Sequence, residues 1–449
     1  MKIIIAGAGE VGFHLAKLLS FESQDITLID SNKDSLSYAD THLDIRVLKG
    51  DATSVAVLKD ALVGKSDLVI GVTSSETTNL TLCLLAKQLG CKRTIARISN
   101  TEFIDNREAI DFARLGIDEL ISPEELAATE IQLLLHQSAF NDTYEFEDGV
   151  LTMVGVSLPK AAPFVGKMVK EAAKIFPELH FMPIAIQRRG TQYTIIPRGD
   201  TVFKEGDQVY FITSGEGVDE LYKLTGKERK EIKNVMILGG SKVGFKTARD
   251  LCAKKFHVKL IEKNKEKAFE LADDLSNALI INGDGRNVEL LEEENLESMD
   301  AFIAVTGNSE TNIMSCLVAK SKHIKKTIAL VENMDYFQLS QSIGIDTLIN
   351  KKLLAANNIF RYIRKGEVVA MTRLNNLNAE ILEFVVKATS LVNGSVIREL
   401  DFPRSATIGG VIRDGKGLIA LGDFTIMEGD RVVVCCLPRA IKKIEKLFL

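Results

Sequence analysis

The sequence predicts an α/β protein of two doubly wound parallel-sheet domains, each followed by a small α+β lobe. Three observations carry this: the chain is written twice, apolar runs of strand length alternate with amphipathic stretches of helix length, and each half opens on a glycine-rich turn. At 449 residues the chain also exceeds what one core holds, since single cores stop growing near about 250–300 residues.

The duplication is visible residue by residue. IIIAGAGEVGFHLAKLL from Ile3 returns as VMILGGSKVGFKTARDL from Val235, with Gly7, Gly12 and Asp30 meeting Gly239, Gly244 and Glu262 at a constant offset of 232. Asp51, Thr73 and Asn79 then meet Asp284, Thr306 and Asn312 at 233, so one residue has been inserted. LGIDELIS from Leu115 returns as IGIDTLIN from Ile343 at 228, and Glu205-Gly206-Asp207 returns as Glu428-Gly429-Asp430 at 223. The duplication therefore extends to the lobes.

Within the first half the strand candidates are IIIA, ITLI, IRVL, DLVIGV, TIARI and DELIS; within the second they are VMIL, VKLI, LIIN, AFIAV, TIALV and DTLIN. Near-continuous Ile, Val and Leu runs of this kind suit strands covered on both faces. Six such strands with helical connections match the Rossmann-type topology. The intervening segments have shorter apolar runs and turn glycines. VGKMVKEAAKIF and VIRELDF are their helix candidates, and GDQVYFIT and GDRVVVCC read as a turn leading into a strand. Charged TGKERKEIKN, from Thr225, reads as a linker between the halves. The domains expected are residues 1–140, 141–226, 234–371 and 372–449.

Composition narrows the function classes. Hydrophobic residues make up 46% and charged residues 26%, the balance of a chain that packs throughout. No run approaches the roughly 18 apolar residues that cross a bilayer, and MKIIIAGAGE reaches glycines and a glutamate too soon for a signal peptide. The chain reads as soluble and cytosolic. A net charge of −5 with dispersed lysines and arginines argues against nucleic acid as a partner. The six cysteines show no CxxC spacing and no histidines at zinc-ligand distance, so they read as small apolar residues, with no metal expected.

The glycine-rich turn of the first half has the context that a dinucleotide site requires: a strand before it, a helix after it and an acid about 20 residues on. Gly7 permits the tight turn, Gly9 lets the backbone approach a pyrophosphate, and Gly12 allows close helix packing. The helix opening near Glu10 aims unpaired N–H groups at the phosphates, with Ala8 and Val11 in the same turn. Asp30, followed by Ser31, ends the second strand, where a carboxylate accepts from both ribose hydroxyls and repels a 2′-phosphate. NAD or a plain adenine nucleotide is favoured over NADP.

Asp51, with Ala52 and Thr53 behind it, follows the third strand, within reach of an adenine amine or as an ordinary turn residue. Thr73 and Asn79 sit where the fourth strand passes into its helix, facing the phosphates or capping. Arg97, in an apolar strand, needs an anion, and a phosphate serves better than an internal ion pair. The second half departs at the contact positions: Ser241 replaces the middle glycine and Leu330 replaces Arg97. A weaker or different nucleotide, or a purely structural domain, follows there.

KIIIAGAGEVG, LIDSN, GDAT, VTSSETTN, IARISN and LGIDELISPEELAATEI, with a lobe ending EGDxV and all of it repeated, resemble the TrkA family. These are the cytosolic regulatory subunits of bacterial Trk potassium uptake systems, with two RCK-N/RCK-C domain pairs in one chain. The resemblance implies a ring of Rossmann domains held peripherally beneath a TrkH-like membrane subunit; fused copies allow two or four chains in such a ring, and the family suggests four. It implies NAD(H), and in many members ATP or ADP, as ligands that bias the ring and so gate the potassium path. By the resemblance Gly7, Gly9, Gly12, Asp30, Asp51, Thr73 and Arg97 are contacts in the first domain, and Gly239, Gly244, Glu262 and Asp284 a reduced set in the second.

Two rival classes remain. An NAD-dependent oxidoreductase needs a proton donor or acceptor beside the nicotinamide, yet the six histidines lie singly and none recurs in both halves. A Rossmann-based redox-sensing transcription regulator needs a DNA-binding element, and no helix-turn-helix is evident. The chain is read as a non-enzyme with no catalytic residues.

Overall fold

The computed structural model describes residues 1–20, 24–100, 102–106, 108–136, 142–147, 149–175, 181–188, 193–224, 232–333, 336, 344–364, 370–373 and 379–448. In the first half β1 (Lys2–Ala6), α1 (Glu10–Ser20), β2 (Asp25–Asp30), α2 (Lys33–His42), β3 (Arg46–Lys49), α3 (Val55–Asp60), β4 (Leu68–Gly71), α4 (Glu76–Gln88), β5 (Arg93–Arg97), α5 (Glu102–Asp105), β6 (Glu119–Ile121) and α6 (Pro123–His136) alternate. The strands form a six-stranded sheet of order β3-β2-β1-β4-β5-β6, and every pairing in it is parallel. Ile3, Ile4 and Ile5 are wholly buried, as a strand covered on both faces requires.

The second half repeats the plan with β12 (Asn234–Leu238), α9 (Lys242–Ala253), β13 (His257–Glu262), α10 (Lys265–Asp274), β14 (Ala278–Asn282), α11 (Val288–Glu293), β15 (Ala301–Ala304), α12 (Ser309–Ser321), β16 (Lys326–Leu330), β17 (Thr347–Ile349) and α13 (Lys351–Arg364). Its sheet has the order β14-β13-β12-β15-β16-β17, the doubly wound Rossmann order again.

Each parallel sheet is followed by a five-stranded antiparallel one. The first lobe contains β7 (Asp142–Phe146), β8 (Leu151–Ser157), α7 (Val169–Ile175), β9 (Phe181–Gln187), β10 (Thr194–Ile195), β11 (Gln208–Thr213) and α8 (Gly215–Leu224), with sheet order β10-β9-β11-β8-β7. The second contains β18 (Ala370–Arg373), β19 (Glu380–Val385), β20 (Ala406–Arg413), β21 (Lys416–Leu418), β22 (Arg431–Cys436) and α14 (Ile441–Phe448), with order β18-β19-β22-β20-β21. The repeated Glu-Gly-Asp turns are scaffold. Asp207 and Asp430 are 1% exposed, each paired with an arginine, Arg188 at 3.2 Å and Arg413 at 2.7 Å. Each also accepts an N–H that closes its turn, from Lys204 and Met427 respectively.

Two lobe expectations shift. The helix expected over VGKMVKEAAKIF begins only at Val169, and VIRELDF forms no α-helix, only a 3-10 turn at Ile397–Glu399. Pro403 disfavours helical geometry in the residue before it, and the second lobe takes its helix from the chain end, as α14. Residues 225–231 of the expected linker lie outside the described residues.

The two halves exchange helices. α6 leaves the first sheet to pack on α9, while α13 leaves the second sheet to pack on α1. Ala127, Ile131 and Leu134 thus share one apolar cluster with Val243, Ala248 and Leu251. Ala355, Ile359 and Phe360 share another with Leu15, Ala16 and Leu19. The glycine-turn helix of each Rossmann unit is covered by a helix from the other.

Candidate nucleotide-binding site

A cavity of about 710 Å³ opens at the carboxyl ends of β1, β2 and β4, the size range of small-molecule sites and the place where doubly wound sheets bind ligands. It is lined by Gly7, Gly9, Glu10 and Val11 from the glycine turn, Asp30 at the end of β2 and Ser31 after it, Asp51 and Ala52 after β3, Thr73 after β4, and Arg97 at the end of β5. Ten of the first-half candidates are therefore brought together around one space.

The turn is built for an anion. Gly7 has a φ of +112°, a conformation that side chains rarely adopt. At Gly12 a Cβ would stand 1.8 Å from the Gly7 carbonyl oxygen, so helix and turn meet there backbone to backbone. Gly9 occupies the cap position, its carbonyl accepting from Phe13 N–H at 2.8 Å, and a Cβ there would meet nothing within 4 Å, only the cavity. Among the described residues nothing accepts from the amides of Glu10, Val11 and Gly12, which leaves the positive end of α1 unspent.

Asp30 holds the turn in place. Its Oδ2 accepts from Ala8 N–H at 2.5 Å and its Oδ1 from Asn32 N–H at 2.8 Å, so Ala8 acts through its backbone. Asp51 accepts from the N–H and hydroxyl of Thr53, both at 2.8 Å, and these bonds hold its carboxyl below the ordinary range. Thr53 is thus a support for Asp51. Arg97 is half-buried and lines the cavity, and among the described residues no carboxylate lies within 4 Å of its guanidinium.

Asn79 is placed elsewhere than the sequence suggested. It is 1% exposed, and its amide is used up inside the fold. Its oxygen accepts from Thr73 N–H at 2.9 Å and Thr73 hydroxyl at 2.7 Å, while its nitrogen donates to the Arg97 carbonyl at 2.8 Å. Asn312 repeats the same clip with Thr306 and the Leu330 carbonyl. A clip present in both halves fixes the ends of two strands, and Thr73 faces the cavity because of it.

Asn32, Ser35, Ser74, Ser75, Thr78 and Lys352 also line the cavity and were not singled out by sequence. The polar run from Ser74 to Thr78 carried a signal, although Ser75 spends its hydroxyl on Thr78 N–H as an N-cap. Lys352 carried none, since it arrives from α13, 342 residues from the Glu10 carboxylate it pairs with at 2.9 Å.

The second half keeps the turn and loses its openness. Gly239 has a φ of +105°, and a Cβ at Gly244 would stand 2.0 Å from the Gly239 oxygen. Glu262 repeats Asp30, accepting from Gly240 N–H at 2.9 Å and Asn264 N–H at 2.8 Å. Ser241, however, caps α9: its hydroxyl donates to the Val305 carbonyl at 2.6 Å and accepts from Gly244 N–H at 3.3 Å. A helix amide that is open in the first half is therefore occupied here. Asp284 differs as well, being gripped by Arg286 at 2.6 Å and Lys263 at 3.0 Å; the Arg286 hydrogen bonds, above all, hold its carboxyl far below the usual range.

No helix among the described residues is long and apolar enough to cross a membrane. Burial pushes the Cys83 thiol up to about 12, which makes it an inert apolar residue.

Known proteins align with this arrangement. The TrkA-N domain model matches residues 3–123 and 235–351, and the TrkA-C domain model matches residues 153–226 and 381–449. The chain is 34% identical over 454 residues to the Trk system potassium uptake protein TrkA of Haemophilus influenzae, covering 100% of this chain and 98% of that one. It is 32% identical over 456 residues to Trk system potassium uptake protein TrkA homolog 2 of Methanosarcina mazei, covering 100% of both. In fold it is similar to the GsuK channel bound to NAD, with a TM-score of 0.62 at 18% identity, covering 100% of this chain and 78% of that one.

Proposed function

The chain belongs to the TrkA family, with its TrkA-N and TrkA-C domains in tandem, and from that premise we propose that it is the nucleotide-sensing regulatory subunit that gates a Trk-type potassium transporter. The first Rossmann unit is the sensor. Its ligands are NAD(H) and the adenine nucleotides ATP and ADP, held by Gly7, Gly9, Glu10, Val11, Asp30, Ser31, Asp51, Ala52, Thr73 and Arg97. Gly12, Ala8, Thr53 and Asn79 shape that site, and Gly239, Gly244, Glu262 and Asp284 form its altered counterpart.

The observation that carries this reading is the open end of α1. Unpaired amides, a glycine cap and Arg97 face one cavity, and Asp30 stands at the ribose position, where it disfavours NADP. A fold relative bound to NAD supports the same ligand class. Regulation asks only that the nucleotide bind one arrangement of the protein more tightly than another, a few kcal/mol being enough. No reaction is needed, and among the described residues no histidine lines the cavity to serve as acid or base.

The partner in this reading is a TrkH-like membrane potassium-translocating subunit on whose cytoplasmic face the protein sits. Fused halves let a pseudo-symmetric ring form from half as many chains, so the assembly is a dimer or, as family resemblance favours, a tetramer. The test is potassium flux in liposomes holding such a membrane subunit, with NADH, NAD, ATP or ADP added singly. Flux should respond to nucleotide only when this chain is present. A response that ignores the chain, or sustained nicotinamide reduction with a small-molecule substrate, would overturn the proposal.

A further inference from the structure

We infer that Lys352, carried by the second half of the chain, is a phosphate-ligating residue of the first-half site, so that one Rossmann unit holds the nucleotide of the other. The inference rests on the nucleotide reading of that site and adds to it a residue and a coupling.

Lys352 lies in the first turn of α13, the exchanged helix, and its side chain is 26% exposed at the wall of the cavity. It stands between Glu10 Oε2 at 2.9 Å and Glu332 Oε2 at 3.0 Å. Glu10 opens α1, beside the amides that await an anion. A carboxylate there repels a phosphate chain unless a cation accompanies it, and Lys352 is that cation. Its ammonium has three donors, enough to bridge Glu10 and a phosphate oxygen together.

The setting keeps that charge available. Burial works against the ammonium, yet the Glu10 and Glu332 carboxylates raise its pKa above the ordinary lysine value. Lys351 bonds to the other oxygen of Glu332 at 2.9 Å, so Glu332 retains a cation when Lys352 turns towards a ligand. Arg97 and Lys352 thus face the same cavity from different halves of the chain. A nucleotide with a phosphate chain ties those halves together, whereas an empty site leaves the lysine on Glu10.

The chemistry predicts a graded effect. ATP and ADP carry terminal phosphates with more charge than the doubly esterified pyrophosphate of NAD, so loss of Lys352 should weaken ATP and ADP more than NAD. The experiment is titration calorimetry of the full-length protein with ATP, ADP and NAD, comparing wild type, Lys352→Met and Lys352→Arg. The methionine preserves the apolar stem on α13, and ligand-free thermal unfolding checks that each variant folds. Should it not fold, Lys352→Gln carries the same test. A charge-assisted hydrogen bond corresponds to roughly tenfold or more in affinity. Lys352→Met should lose that for ATP and ADP, lose less for NAD, and recover in Lys352→Arg. Unchanged ATP binding in Lys352→Met would overturn the inference, as would equal loss in both variants, which marks a packing role. If wild type binds none of the three nucleotides, the site reading itself fails and takes this inference with it.

Discussion

At position 9 the cap of α1 has no side chain, and the first-turn amides stay open; at position 241 a hydroxyl closes one of them. Gly9→Val should therefore fold normally, since a Cβ there meets open space, yet lose at least about tenfold in NADH affinity, or ~1.4 kcal/mol, by calorimetry. Gly12 predicts the opposite pattern. Its Cβ would collide with the Gly7 carbonyl, so Gly12→Ala should lower stability by about 1–3 kcal/mol or more in denaturant unfolding, with ligand absent. The glycines and Asp30 were legible in the sequence because their roles are local, set within one strand-turn-helix unit. Asn79 looked like a ligand contact because sequence shows a polar residue near the phosphates but not where its amide points. Lys352 was illegible for a different reason, its place at the cavity being decided by how α13 crosses to the other half.

Helix exchange ties the two halves together. α13 seals α1 with Ile359 and Phe360, and its first turn brings Lys351 and Lys352 to Glu332. Burial raises the Glu332 pKa, but hydrogen bonds from those lysines outweigh it and lower it below the ordinary 4.5. A lowered carboxylate stabilises the fold above its ordinary value and loses that contribution as pH falls through the lowered one. Because Glu332 is partly exposed, the contribution is roughly 0.5 kcal/mol. Glu332→Gln should show a smaller fall in thermal midpoint than wild type as pH is taken from about 6 to about 3. An identical fall would place the acid sensitivity elsewhere.

The lobes pair through glycine. A Cβ at Gly409 of β20 would stand 2.6 Å from Ile212 and 2.9 Å from Ile184 of the first lobe. Gly409→Val should cost about 1–3 kcal/mol in denaturant unfolding while leaving NADH affinity intact. The parallel sheets were readable from unbroken Ile, Val and Leu runs. The first lobe's helix was readable apart from its start, but the second lobe's was not, since VIRELDF is followed by a proline and the lobe takes its helix from residues 441–448.

For the molecule as a whole, duplication has produced an unequal pair. Both halves keep the turn, the acid that braces it and the asparagine clip. Only the first keeps a glycine cap and an arginine at the cavity, and it also receives Lys352 from the second. In the proposed division one unit would sense and the other would supply reach, with the exchanged helices carrying the consequence between them. Calorimetric titration of wild type, Gly9→Val and Ser241→Val with NADH tests this division most directly. One tight site per chain is expected, lost in Gly9→Val and retained in Ser241→Val. Two equal and independent sites, or tight binding that survives Gly9→Val, would contradict it.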